Sequence, residues 1–233
     1  MKSSPRSLLN SLRYCPQPEP GRFLQHHPGC WILMRPDDPA CLRYQPRLSR
    51  RFRQDEIDGF QNRQWGVHFT AQLYGASLAA RDLLCLRTLV VDVRLAHEKS
   101  ELRLAEVERR KERYLRDTLA RFPLQPHWLI ETLDGFQALY RVQSATEPKA
   151  IREALELQRQ LSEALQGRPF SDDLHLVRLP GTLQFSPAGP LFFCRLLEDR
   201  SASIPPHPLD EVRRALESWQ TAGPRHPSNA HDR

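Results

Sequence analysis

At 233 residues the chain is long enough for one large domain with a real core, while 20 prolines and an apolar share of 39% leave part of it for loop or tail. No apolar run approaches the roughly 18 residues of a bilayer span, and the start shows no signal-peptide apolar stretch, so the expectation is a cytoplasmic protein without membrane contact. Residues 1–53 carry ten Lys or Arg against three acids (Glu19, Asp37, Asp38), a balance of +7 where the whole chain has +6. The basic excess is thus N-terminal.

It is densest at Arg47-Leu48-Ser49-Arg50-Arg51-Phe52-Arg53. Arginines with an interleaved aromatic suit a phosphate backbone, by paired charge and by stacking. Arg47, Arg50, Arg51 and Arg53 are therefore candidate nucleic-acid contacts, with a solvated basic surface as the plainer alternative. Five cysteines (Cys15, Cys30, Cys41, Cys85, Cys194) form no C-x-x-C pair. Cys15, His26, His27, Cys30 and Cys41 could ligate zinc in principle, but their spacing fits no familiar finger, and ordinary reduced thiols are expected.

In chain order, residues 3–14 read as a short helix, after which Pro16, Pro18 and Pro20 interrupt. Residues 30–34 read as a strand, 54–62 as a weak helix and 65–71, which alternate and are rich in aromatics, as another strand. A helix is expected over 77–86 with Ser77 as its cap, then a strand at 89–92, apolar on both faces and hence central. Residues 99–121 predict the clearest helix, with Leu102, Ala105, Leu115 and Leu119 inward. Two strands, 128–131 and 136–142, flank a turn at Gly135. Pro148 sits in the first turn of a helix running to Leu165. Strands at 174–178 and 191–197 and a helix at 209–218 follow, before a tail whose composition suits disorder.

Helices alternate with strands, but one tight hairpin breaks the alternation. That favours an α+β domain with a mixed β-sheet over a doubly wound parallel one. The domain reading is a basic N-terminal extension at 1–54 packing on the core, a core at 55–200, and a C-terminal helix and tail at 201–233.

Three segments carry candidate chemistry. The first is Asp92-Val93-Arg94 at the end of the central strand. Residues i and i+2 of a strand share a face, so a pair of carboxylates there would hold a divalent metal. Asp92 supplies one, while Arg94 has no acceptor and cannot ligate. The second is the hairpin from Glu131 to Tyr140, with Thr132, Gly135 and Gln137. The third, Asp172-Asp173-Leu174-His175-Leu176-Val177-Arg178-Leu179-Pro180-Gly181-Thr182, sets an acidic pair just before an arginine and a Pro-Gly turn.

In this order and at this spacing, the three segments resemble the catalytic core of the archaeo-eukaryotic primase superfamily, most closely its RepB-like branch, over residues 55–197. The resemblance implies an RRM-like mixed sheet with flanking helices and template-directed nucleotidyl transfer with Mg²⁺ or Mn²⁺. Asp92 and Asp172 would be the catalytic, metal-binding acids, and Thr132, Gly135, Gln137 and Arg178 would contact the nucleotide. Gln137 stands where the family commonly has histidine, and Arg94 where it has a second carboxylate. Single-stranded DNA template and nucleoside triphosphates are the expected partners, with room for a replicative helicase. The setting implied is replication of a plasmid, phage or other mobile element. The alternative reading is a catalytically inactive primase-fold module that binds DNA or nucleotide, with Arg94 neutralising phosphate in place of metal.

Overall fold

The computed structural model describes residues 20–36, 54–95, 104–169, 176–185 and 191–222. The helix expected at 3–14, the arginines at 47, 50, 51 and 53, the acids Asp172 and Asp173, and the C-terminal tail lie outside these residues. The spine of the fold is β4 (Leu83–Arg94), which pairs along most of its length with β6 (Gly135–Ala145). β5 (Trp128–Glu131), β10 (Arg195–Asp199) and the two-residue β3 (Leu73–Tyr74) complete a five-stranded sheet of order β10-β5-β6-β4-β3. A second sheet, β1-β2-β7, joins Ile32–Pro36, Trp65–Thr70 and Leu176–Arg178, and a small ladder joins β8 (Leu183–Gln184) to β9 (Phe192–Phe193). These ladders are antiparallel, and a parallel bridge links Val142 to His207. The α+β class is as expected.

Alternation along β4 sends its residues into two cores. Leu89, Val91 and Val93 pack with Phe136, Ala138 and Tyr140 under helices α3 (Leu104–Asp117), α4 (Pro148–Ala164) and α5 (Leu209–Ala222). Val90, on the other face, packs with Leu139, Trp128 and Ile130 against Ile32, Met34, Val67, Phe69, Val177 and Leu179 of the second sheet. The helices α1 (Pro20–Gln25) and α2 (Gln54–Gln61) close this second core with Phe23, Leu24, Ile57 and Phe60. Asp92 and Arg94 share the parity of Val90, so they sit at the end of the core between the two sheets.

Past β3, one edge of β4 has no neighbouring strand among the described residues, and an exposed row of backbone groups would invite foreign pairing. Side chains close it instead. Gln72 accepts from Arg87 N–H at 3.0 Å and donates to the Thr88 carbonyl at 2.5 Å. Gln158 does the same at Val90, accepting its N–H at 2.5 Å and donating to its carbonyl. The Asp92 carbonyl accepts Arg168 N–H at 2.8 Å. That last bond depends on how α4 ends. Gln166 takes a left-handed φ of 56°, Gly167 N–H bonds Ser162 O at 2.7 Å and Gln166 N–H bonds Glu163 O at 3.1 Å. This crossed pair of bonds terminates the helix and turns the chain onto Asp92.

Several sequence expectations change. The helix at 77–86 does not form. A bend leads to a 3₁₀ turn at Ala80–Asp82, and Leu83 onward belongs to β4. A short apolar run satisfies either period, and here pairing with Leu73 and Ala145 decides. Ser77 caps no helix; its hydroxyl bonds the Asp82 carboxylate. Leu115 and Leu119 pack on the core as expected, but Ala105 is exposed, Leu102 lies outside the described residues, and the buried positions of α3 are Val107, Lys111 and Tyr114. Lys111 is fully buried because Glu131 Oε1 at 3.1 Å and Thr132 O at 2.7 Å receive its ammonium. The strand expected at 191–197 is broken at Cys194, whose backbone bonds Gly181 and Thr182 instead.

Gly135 opens β6 opposite Arg94, rather than forming the turn itself, and a Cβ there would lie 1.9 Å from the Val93 carbonyl oxygen. Backbone cannot yield as a side-chain tip would. Gly135→Ala is expected to lower unfolding stability by about 1–3 kcal/mol in urea titrations. A stability equal to the parent's would show that β4 and β6 do not approach this closely.

Candidate functional site

The C-terminal end of β4 brings four of the expected residues together. Asp92 lies directly across the ladder from Gln137, and Arg94 from Gly135. Gln137 is buried at 5% exposure. Its side-chain oxygen accepts the Arg178 N–H at 2.8 Å, and its amide lies against the Asp92 carboxyl and favours its ionised form. One glutamine therefore ties the Asp92 strand to β7, the edge strand of the other sheet. This use of both ends of an amide is open to glutamine without a change of protonation.

Charge around Asp92 is shared among neighbours. Arg94 Nε lies 3.8 Å from Asp92 Oδ2 and 3.5 Å from Asp134 Oδ2. Burial pushes the Asp92 carboxyl above the ordinary aspartate value. Arg94 opposes that push, Asp134 adds to it, and Arg168 and the Gln137 bond oppose it further. The side chain keeps 19% exposure, so a ligand can still reach it.

The turn before β6 is built around Thr132. Its N–H bonds Gly135 O at 3.0 Å, its hydroxyl bonds Asp134 Oδ1 at 3.3 Å, and its carbonyl receives Lys111. Gln184 reaches the same turn, accepting Leu133 N–H at 3.0 Å. Gln61 in turn holds β8 through the Leu183 N–H at 2.6 Å.

The Arg-Leu-Pro-Gly-Thr segment shows why its residues occur together. Pro180 and Gly181, with φ +84° at Gly181, make the turn that only a residue tolerant of positive φ completes. The Thr182 hydroxyl closes it on Leu179 O at 2.7 Å. Val177 and Leu179 enter the core between the sheets, so the Arg178 side chain lies on the opposite face of β7, across from His68. The structure thus joins Arg178 to the site by its backbone amide.

The donor chemistry suits a hard divalent ion, since Asp92 and Asp134 present carboxylate oxygens at one strand end. Arg94 occupies the space between them, and among the described residues no group of three metal-ligating side chains occurs. Asp172, the expected second ligand, lies outside the described residues. The chain enters its segment from Arg168, bonded to Asp92, and leaves it at Leu176, paired with Thr70. Asp134 and Arg168 were missed from sequence. Asp134, just before β6, sits beside Arg94.

No protein-family model matches the chain, and no curated protein matches it. Among solved structures, it is similar to the AEP domain of the cyanophage S-2L primase-polymerase, with a TM-score of 0.58 and 11% identity over 86% of this chain and 100% of that one. It is also similar to the primase RepB′, with a TM-score of 0.50 and 18% identity over 91% of this chain and 64% of that one. Identities this low carry the fold and nothing finer. The chain has the fold of the archaeo-eukaryotic primase domains.

Proposed function

We propose that the Asp92 end of the sheet performs template-directed nucleotidyl transfer, as a DNA primase or primase-polymerase serving the replication of a plasmid, phage or other mobile element. The observation that carries this reading is the Asp92–Gln137 pair, tied to β7 at Arg178, within a fold shared with a primase-polymerase domain. Asp92 and Asp172 would hold Mg²⁺ or Mn²⁺. When bound, the metal supplies positive charge to the triphosphate and acidifies the primer hydroxyl. Gln137 orients Asp92, and the Thr132–Gly135 turn and the backbone around Arg178 shape the place of the nucleotide. Arg47, Arg50, Arg51 and Arg53 would hold single-stranded template by charge.

One observation favours a second reading. Arg94 bridges Asp92 and Asp134, the position a cation would take. On that reading the domain binds nucleotide or DNA without transfer, and Arg94 neutralises phosphate directly.

Primer synthesis on single-stranded DNA with labelled nucleotides and Mg²⁺ or Mn²⁺ tests the first reading. Products are expected from the parent chain and are lost at least roughly 100-fold in Asp92→Asn, the scale of a removed electrostatic contributor to catalysis. No products from a folded chain that binds nucleotide would overturn it. Arg94→Ala separates the two readings. A catalytic site gains Mn²⁺ affinity by roughly tenfold when one competing charge is removed, whereas a metal-free site loses nucleotide affinity by a similar factor.

Asp92→Asn also carries a stability signature. Because the folded carboxyl ionises at higher pH than the unfolded one, the unfolded chain releases its proton first as pH rises. Stability from this group falls across that window and stays low above it. Asp92→Asn should therefore unfold at higher urea than the parent at pH 7, with the gap narrowing near the ordinary aspartate value of about 4. A parent more stable than the variant at neutral pH would contradict the burial of Asp92.

A further inference from the structure

The β4–β6 ladder has a second polar end. Thr88 pairs with Arg141 four residues from Asp92 and Gln137, about 13 Å along the strands. Val90 and Leu139, packed in the core between the sheets, separate the two ends. Beside Thr88 lies a cavity of about 660 Å³, with His26, His27, Arg87, Trp128, Arg141 and Pro205 among its lining. A volume of this order suits a small-molecule ligand.

Its charge is one-sided. Among the described residues no carboxylate lines the cavity, while two guanidinium groups and two imidazoles do, of which His27 is kept neutral by burial and by Arg87. Arg87 is anchored by donating to Pro28 O at 2.7 Å and Ala71 O at 3.4 Å, yet its buried Nη2 has no partner among the described residues. On the floor, His27 is 2% exposed and Trp128 fully buried, and among the described residues neither His27 Nε2 nor Trp128 Nε1 has a hydrogen-bond partner. The Arg87 and Trp128 N–H groups are buried donors left open, and such groups in a native structure call for an acceptor from outside the chain. The nearby Cys30 thiol does not supply one, since burial pushes it up to about 11 and leaves it neutral.

The walls are held in place. His127 Nδ1 accepts Arg141 N–H at 3.0 Å, so its Nε2 carries the proton and donates to Pro205 O at 3.0 Å. His207 N–H bonds Arg141 O at 2.9 Å and Gln143 N–H bonds His207 O at 3.0 Å. The cavity is preformed.

We infer that this cavity is an anion site for a terminal phosphate monoester, with the phosphate held between Arg87 and Arg141 and the attached nucleoside over Pro205 and Pro206. Paired guanidinium groups match phosphate oxygens in geometry as well as charge, and a dianion relieves the repulsion between them. The monoester can come from a free mononucleotide or from the 5′ end of a DNA strand.

The test titrates the full chain in EDTA, which suppresses metal-dependent binding at Asp92. The probes are deoxyadenosine monophosphate against deoxyadenosine, and one oligonucleotide with and without a 5′-phosphate. In at least one pair the phosphate should tighten binding roughly tenfold, the scale of a charge-assisted contact. Arg141→Gln should abolish that preference, and Asp92→Asn should keep it. A preference in the first pair alone assigns the site to free nucleotide, and in the second alone to a strand end. Should Arg141→Gln fail to fold, Arg87→Gln, which removes the other guanidinium, serves in its place. Equal binding within both pairs, or a preference that survives the cavity variant, overturns the inference.

Discussion

The Gln137 amide is the joint on which the site depends. It faces Asp92 across the ladder and takes the Arg178 N–H with its oxygen, so two sheets that otherwise meet through apolar side chains meet here through one polar group. Its oxygen is satisfied by the Arg178 N–H, and its amide lies against the Asp92 carboxyl, which favours one orientation of the side chain. The Arg-Leu-Pro-Gly-Thr turn is thereby locked to the strand that carries Asp92, and Gln184 fastens the next ladder to the Thr132 turn.

Around this joint the fold handles charge at two depths. Lys111 and Glu131 are both fully buried, with Arg195 2.6 Å from the second Glu131 oxygen, so the carboxylate lies between two cations. Removing one member of such a set costs more than the set contributes, which fixes α3 against the hairpin. At the strand end the arrangement is looser. Arg94 is 35% exposed on its side chain and lies 3.5–3.8 Å from two acids, so screening by water keeps each pair weak.

Much of this was legible in the residues. The central strand, the hairpin and the third segment stood in order because each has a local signature: apolar on both faces, a glycine between two strands, a Pro-Gly turn. Gly135 was marked, though for the wrong reason, since the close approach of Val93 is a tertiary fact. The extent of β4 was hidden because Leu83-Leu84-Cys85-Leu86 fits either period and its partners lie far along the chain. Gln72 and Gln158 looked like ordinary polar residues, yet they close a strand edge. Lys111 gave no sign of burial because Glu131 is 20 residues away. The Asp134–Arg94 contact was likewise invisible until the hairpin was placed.

Paramagnetic broadening by Mn²⁺ in the ¹⁵N-labelled chain, with a nucleoside triphosphate present, tests most directly whether the Asp92 end is the working site. Selective loss of the Gln137 side-chain amide and of the Arg178 and Arg168 backbone amides is the predicted result. Sharp signals at all three, with broadening elsewhere or nowhere, would contradict it.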